Sequence, residues 1–487
     1  MIDRRTLLRG AGATALVVGF GTSGAWVTQA AASGPFDELP RLDGAVHLDV
    51  PTRDKYAQDL GRQVTRRPDA VLTPGSARDV QEMVRFCASR RIPVSVRGQG
   101  HSTFGQGLGP GLLIDSRSLH TIHRVGRDHA EVDAGVMWRE LLDAALPQGL
   151  TPPLLTTFVG LSIGGTLSMG GVPANNREGI QADRVRELEV VTGEGALVRC
   201  SRQRRSDLFD AVLAGLGQVA VITKAVVDLV PASPSARTYV LLYNDNITFF
   251  RDFRAVTDRG EIDGAYTLFP LVPDGSRVVY ALNMMKWFDP AQPPDDTHLL
   301  RGLTPARMTV TDGTYRDWAC RYDPVVEMWQ RDHDWDNLIK PWSDVILPER
   351  SVERYVGEVI PTLNADQVGA TGTVFLFRTH RSRLTRPMFR IPEPDGSPWV
   401  YLFDVLTSSA RPGPDQAFTD RMLARNRDYF DRARAVGGTR YPMGSTPFSQ
   451  EDWALQYGRY WPALRRAKER YDPEGILTPG PGIFPGR

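Results

Sequence analysis

Two glycine clusters restrict this chain more than anything else in it. The first, RGQGHSTFGQG, begins at Arg97 directly after the β-branched run IPVSV, and the second, VGLSIGGTLSMGGV, spans Val159 to Val172. Glycine reaches backbone conformations closed to other residues and lets the main chain approach a ligand closely. Consecutive glycine turns also leave N–H groups pointing one way, which makes a concavity for an anion. Two such clusters in one domain suit an extended ligand held from both sides, such as the pyrophosphate of a dinucleotide. The first cluster lacks the G-x-G-x-x-G spacing of the nicotinamide dinucleotide fold, because Thr103 stands where the third glycine would fall.

The pattern around the clusters sets the fold class. AVLTP from Ala70 reads as a strand, and SARDVQEMVRFCASRR as a helix with Val80, Met83, Val84 and Cys87 on one face. IPVSVRG, GLLIDSRSL and HAEVDAG read as further strands, and MWRELLDAALPQG as an amphipathic helix stopped by Gly149. VRELEVVTGEGALVRC predicts a hairpin turning at Gly193 to Gly195, and the segment after it a short helix, a glycine turn and a strand. Short strands with single helices between them indicate an α+β domain, not a regular doubly wound one. At 487 residues the chain exceeds what one core normally supports, so a second domain is expected. After Pro231 Trp and Tyr become frequent and Pro-rich connectors appear. Residues 237–430 therefore read as a substrate-side cap, and 431–487, again rich in Gly and Pro, as a return to the first domain.

Charge and cysteine content exclude other classes. Lys plus Arg number 58 against 57 Asp plus Glu, which leaves no basic excess for nucleic acid. The three cysteines, Cys87, Cys200 and Cys320, are far apart and form no CxxC, and the eight histidines include no HExxH. Neither a disulfide framework nor a metal site is predicted.

The N-terminus carries its own signal. Arg4 and Arg5 precede a Gly/Ala/Val-rich run from Gly10 to about Val27, and Ala30 to Ala32 supply small residues for cleavage. A membrane anchor is the alternative, but the run is short and poor in large apolar residues. A cleaved signal of twin-arginine type over 1–32 is expected, hence an extracellular or periplasmic protein without a lasting membrane anchor. That route carries folded proteins and suits a cofactor loaded before export.

His101 stands inside the first cluster at a strand end, flanked by Gly100, with Ser102 and Gln106 just beyond. A lone histidine is usually a plain hydrogen-bonding residue. A neutral imidazole is also a nucleophile, and in this position it can attack the electrophilic methyl of an oxidised isoalloxazine and tether a flavin.

These residues resemble a known family. RGQGHSTFGQ is similar to the histidyl-flavin loop of the vanillyl-alcohol-oxidase, or PCMH-type, FAD-linked oxidoreductases. The Gly-Gly-Thr-Leu-Ser run from Gly164 to Ser168, the segment VVTGEGALVRCSRQRRSDLFDAVLAGLGQVAVIT and the terminal YDPEGILTPGPGIF resemble cytokinin dehydrogenases in particular. The resemblance implies an α+β protein: a PCMH-type FAD-binding domain of two α/β subdomains over 33–236, joined to a separate α+β cap. It implies covalent FAD on His101 through the flavin's 8α carbon. Arg97, Gly98, Gln99, Gly100, Ser102 and Gln106 contact the cofactor from the first loop, and Ser162, Ser168 and Val172 from the second. Val221, Tyr441 and Thr478 complete the set. No cysteine lies in the second cluster, so a single covalent link is expected. Pro481 replaces the glutamine that the family carries after the terminal Pro-Gly, which removes one side-chain hydrogen bond.

The departures concern the substrate. The family places an aspartate seven residues before the Gly-Gly pair as the base that takes the substrate's proton, and this chain has Thr157 there, beside the flavin. A threonine hydroxyl can position a donor but cannot act as a base near neutral pH. Asp263 in EIDGAY is the expected counterpart of a second family carboxylate. HDWDN, His333 to Asn337, echoes the family's HPWLN and puts Trp335 beside the substrate, with His333 as a replacement base; Asp334 and Asp336 read as a solvated loop. The implied activity is hydride removal from a carbon bearing nitrogen or oxygen, with oxygen or another molecule as electron acceptor. A berberine-bridge-like alcohol oxidase or oxidative cyclase is an alternative. A redox-neutral cyclase or binding protein that keeps FAD as a structural element is another.

Overall fold

The computed structural model describes residues 34–175, 177–271 and 278–484, together with the backbone of two short strands, Val17–Phe20 and Trp26–Gln29. Apart from those strands, the export signal expected over 1–32 lies outside the described residues. The architecture is α+β and is built on three main sheets.

The first sheet has a parallel centre. Ala70–Thr73 and Val94–Arg97 both run parallel to Leu112–Asp115, which lies between them. The helix Ala77–Arg90 crosses over them and buries Val80, Met83, Val84 and Cys87 completely. Each such side chain contributes about 2 kcal/mol by burial. The helix stops at Arg91, whose φ of 55° is left-handed. The first glycine cluster leaves this sheet from the C-terminal end of Val94–Arg97, the end at which parallel sheets bind ligands.

The second sheet is antiparallel, in the order Leu197–Ser201, Val185–Thr192, Ala220–Asp228, His129–Asp133, Ile122–Val125. The hairpin between Val185–Thr192 and Leu197–Ser201 has the expected turn. The second glycine cluster is not wholly a loop, since Ile163–Met169 forms two turns of helix. Its amides at Ile163 and Gly164 bond to Val136 and Ala134, which docks the helix on this sheet.

The third sheet has eight antiparallel strands and forms the cap. Alternation gives it two chemically distinct faces. Val374 and Leu376, with Tyr401, Phe403 and Val405, pack in one apolar core with the helices Asn246–Arg259 and Glu349–Val359. Phe375 and Phe377, with Val400 and Leu402, belong to the core shared with the second sheet. The last strand of the cap is Thr439–Arg440, so the segment beginning at 431 is still part of the cap and leaves it only after Arg440. The chain then returns through the helices Gln450–Tyr457 and Trp461–Tyr471. Leu477 bridges Val94, and the Thr478 N–H bonds to the Val94 carbonyl at 2.8 Å. Among the described residues, no helix is long and apolar enough to cross a membrane.

Candidate active site

A deep cavity opens where the two glycine clusters, the turn Leu216–Ile222, the C-terminal return and one face of the cap sheet converge. Gly98 brings the clusters together: a Cβ there would lie 2.0 Å from Ser162 Oγ, so only glycine allows this approach. Gly100, with φ +66°, turns the loop back over the Arg97 guanidinium. The backbone N–H groups of Gln99, Gly100, His101 and Ser102 donate to no acceptor among the described residues. Four neighbouring donors without a protein partner, on residues that line one cavity, fit the pyrophosphate of FAD.

All the residues expected to hold the cofactor line this cavity: Arg97, Gly98, Gln99, Gly100, His101, Ser102, Gln106, Thr157, Ser162, Ser168, Val172, Val221, Tyr441 and Thr478. Several are already engaged. Arg97 donates to the Gln58 carbonyl at 2.6 Å, Ser168 to the Gly164 carbonyl at 2.8 Å, and Thr478 to the Gly217 carbonyl at 2.8 Å. The Tyr441 hydroxyl meets the Gly171 backbone, and burial holds its pKa above the usual phenol range. Gln106 differs most from expectation, because its carboxamide nitrogen serves the carbonyls of Pro442, Met443 and Gly444. Its side chain fastens the return segment to the loop.

The His101 ring sits in an aromatic enclosure. It stacks on Phe158 at 5.4 Å between centroids and meets Trp342 edge-on at 5.5 Å and Trp335 at 6.2 Å. Burial, with the nearby Lys340 ammonium adding to it, pushes the His101 pKa down to about 4. The imidazole is therefore neutral across the physiological range, as a nucleophile must be. Lys340 is itself fully buried. Its Nζ donates to the carbonyls of Trp335, Leu338 and Leu60 and lies 4.6 Å from the centre of the Trp335 ring. Burial pushes the Lys340 pKa down to about 7.

Of the residues expected around the substrate, the cavity takes in Thr157 and Trp335 but neither Asp263 nor His333. Thr157 makes no side-chain hydrogen bond among the described residues. Asp263 stands at the start of the strand Gly264–Leu268, where it accepts the Trp287 N–H at 2.7 Å and pairs with Lys286 at 3.4 Å. It closes a strand end and does not face the cavity. His333 is exposed at the C-terminal end of the helix Asp323–His333. Asp334, with φ 50°, reverses the chain, which turns Trp335 inward and leaves His333, Asp334 and Asp336 in solvent. No group of three or more metal-ligating side chains occurs among the described residues, and Cys87, Cys200 and Cys320 are buried and unpaired.

Asp404 is the lining residue that sequence reasoning missed. It is the only carboxylate lining the cavity among the described residues, and it is almost completely buried. The one hint in the sequence is an acid inside the otherwise apolar strand WVYLFDVL.

Comparison with known proteins agrees with this geometry. Residues 68–201 match the FAD binding domain model, and residues 268–484 match the model for the FAD- and cytokinin-binding region of cytokinin dehydrogenase 1. An uncharacterised oxidoreductase of the fasciation locus in Rhodococcoides fascians is 34% identical over 445 residues, covering 90% of this chain and 99% of that one. Cytokinin dehydrogenase 4 of Oryza sativa subsp. japonica is 31% identical, covering 91% of both chains. Cytokinin dehydrogenase 2 of Arabidopsis thaliana is 29% identical, covering 92% of this chain and 95% of its own.

Proposed function

Because this chain belongs to the cytokinin dehydrogenase family of FAD-binding oxidoreductases, we propose that it removes hydride from a substrate carbon bearing nitrogen or oxygen and holds FAD covalently through His101. N6-substituted adenines are the first substrate class to test, since relatives are named for cytokinins. When bound, FAD supplies the hydride acceptor, and oxygen or another acceptor takes the electrons onward. The chain's own residues do the rest. The free amides from Gln99 to Ser102 receive the pyrophosphate. Tyr441 and Thr478 line the cavity from the return segment, and Phe158, Trp335 and Trp342 give it an apolar aromatic wall.

The observation that carries this reading is the placement of His101: a neutral imidazole in an aromatic enclosure at the mouth of a loop with unused anion donors. Two measurements test it. Yellow colour that stays with the protein after acid precipitation, and is lost in His101→Ala, supports the covalent link; colour that passes into the supernatant refutes it. Anaerobic bleaching of the flavin near 450 nm against N6-alkyl adenines, secondary amines and benzylic or allylic alcohols identifies the substrate class. A flavin that dithionite reduces but no candidate bleaches favours the redox-neutral alternative.

Export by the twin-arginine route belongs to the same reading and rests on Arg4 and Arg5 ahead of the small-residue run. Replacing both with lysine is expected to keep the protein with the cytoplasmic fraction, and unchanged export refutes the assignment.

A further inference from the structure

Beyond the cofactor cradle, the cap sheet brings two acids face to face, one of which, Asp404, lines the cavity. Asp344 and Asp404 are direct partners across the antiparallel strands Ser343–Pro348 and Trp399–Leu406. Alternation places both on the cavity side. Tyr401, Phe403 and Val405 belong to the core behind the sheet, as do Val345 and Leu347, while Leu402 and Ile346 belong to the core on the cavity side. Asp344 is 1% exposed and Asp404 4%. Both oxygens of Asp344 and one of Asp404 find no hydrogen-bond donor. Native structures rarely leave buried carboxylate oxygens in that condition, so such a pair calls for an explanation.

The other lining groups cannot accept a proton from a substrate. Arg97 is a guanidinium bonded to the Gln58 carbonyl, His101 is assigned to the flavin, and the Tyr322 and Tyr441 phenols stay protonated because burial raises them. Thr157 offers only a hydroxyl. We propose that Asp404 is the catalytic proton acceptor of this cavity, with Asp344 as the positioning residue that shares its proton, for a substrate whose oxidised carbon carries an N–H or O–H. The proposal rests on the oxidoreductase reading above.

The electrostatics agree. Two facing carboxyls in a buried site cannot both ionise, so the pair keeps one proton well above the usual carboxylate range. Burial raises both, and Asp404 is raised further by the Asp344 charge. Arg440, from the adjoining strand, favours the negative charge on Asp344, and Tyr441 lies beside both acids as a neutral phenol. The shared proton rests on Asp404 and the charge on Asp344, so Asp404 takes the substrate's proton on its other oxygen as it hands its own to Asp344. FAD, when bound, would supply the acceptor for the C–H hydrogen and its bonding pair. The N–H or O–H proton passes to Asp404, and a C=N or C=O bond forms. The pair moves from one proton to two and returns the extra one to solvent.

Stopped-flow anaerobic flavin reduction on the FAD-loaded protein, followed against pH, tests this. Asp404→Asn is expected to slow reduction by about 10² to 10⁴-fold and to abolish the acid limb of the profile, with FAD content unchanged. Asp344→Asn is expected to move that limb to lower pH with a smaller loss of rate. Reduction by Asp404→Asn within about threefold of the wild type, with the same pH profile, overturns the proposal. A second readout needs no turnover: the wild type should show the infrared carbonyl band of a protonated carboxylic acid at neutral pH, and either Asn variant should shift its frequency, because the remaining carboxyl no longer faces another. Absence of the band overturns the shared proton even if no compound bleaches the flavin. If the band is present but nothing bleaches the flavin, the pair is supported and the oxidoreductase reading fails by itself.

Discussion

The carboxamide nitrogen of Gln106 and the carbonyl of Gly444 are joined at 3.0 Å across 338 residues of sequence. The same nitrogen reaches Pro442 at 3.0 Å and Met443 at 2.9 Å, and Gln106 Oε1 accepts the Phe104 N–H at 2.8 Å. One buried side chain thus fastens the first glycine loop to the segment that leaves the cap. Gln106→Ala leaves the Pro442 carbonyl and the Phe104 N–H without a partner, while Met443 keeps Thr103 and Gly444 keeps Arg440, and an unsatisfied buried polar group costs about 1–3 kcal/mol. The variant should unfold at correspondingly lower denaturant concentration and bind FAD more weakly, because Tyr441 sits on the released segment. Unchanged denaturant midpoint and flavin content would show that the clamp is dispensable.

Asp59 supports the same loop from below. It accepts the Gly105 N–H at 2.6 Å and the Gly61 N–H at 3.1 Å, yet burial pushes its pKa up to about 6. A carboxyl raised in the folded state contributes stability that is full below the unfolded value of about 4 and is lost as pH rises through about 6. Two pH units correspond to about 3 kcal/mol. Asp59→Asn cannot ionise, so it should gain about that much relative to the wild type between pH 4 and pH 7. Denaturant titrations of both proteins at the two pH values check this, and a difference that stays constant with pH refutes it.

His101 is held neutral by its enclosure, with a pKa near 4. Covalent attachment of FAD to apoprotein should therefore run at a constant rate across the neutral range and fall only as pH drops through about 4. Lys340→Met removes the nearby positive charge and should move that fall to higher pH. In-gel flavin fluorescence after denaturation, taken over time at each pH, measures the attached fraction. An inflection near the ordinary histidine value of about 6.5 would show that the ring is not enclosed as described.

Much of this was legible in the sequence, and the remainder was hidden for physical reasons. The helix Ala77–Arg90 and the strands around it follow from periodicity, since Val80, Met83, Val84 and Cys87 all become core. The two glycine clusters announced themselves because close approach and positive φ demand glycine, as at Gly98 and Gly100. His333 and Asp263 were misplaced because a short local echo does not say which way a chain turns. Asp334 in the left-handed region sends His333 outward, and the Trp287 amide occupies Asp263. The Asp344 and Asp404 pair depends on strand register, which brings together positions far apart in sequence, each a single acid in an apolar run. Gln106 was placed at the right loop, but only the fold reveals that its amide is spent on the return segment.

Thr157 and Asp404 line one cavity from opposite partners, the FAD-binding domain and the cap. If Asp404 takes the substrate's proton, a carboxylate introduced at 157 offers a second acceptor in the same enclosed space. The double variant Thr157→Asp, Asp404→Asn should then recover at least about tenfold of the flavin-reduction rate lost in Asp404→Asn, a fraction of the 10² to 10⁴-fold that a positioned base contributes. Its acid limb should reappear at lower pH, because an aspartate at 157 has no second carboxyl opposite it to raise its pKa. Thr157→Asp alone should change the wild-type rate less than it changes that of Asp404→Asn, since one acceptor already suffices. Single-turnover reduction of the four proteins with one substrate completes the cycle. Equal effects of Thr157→Asp in both backgrounds would show that the two positions do not serve the same proton.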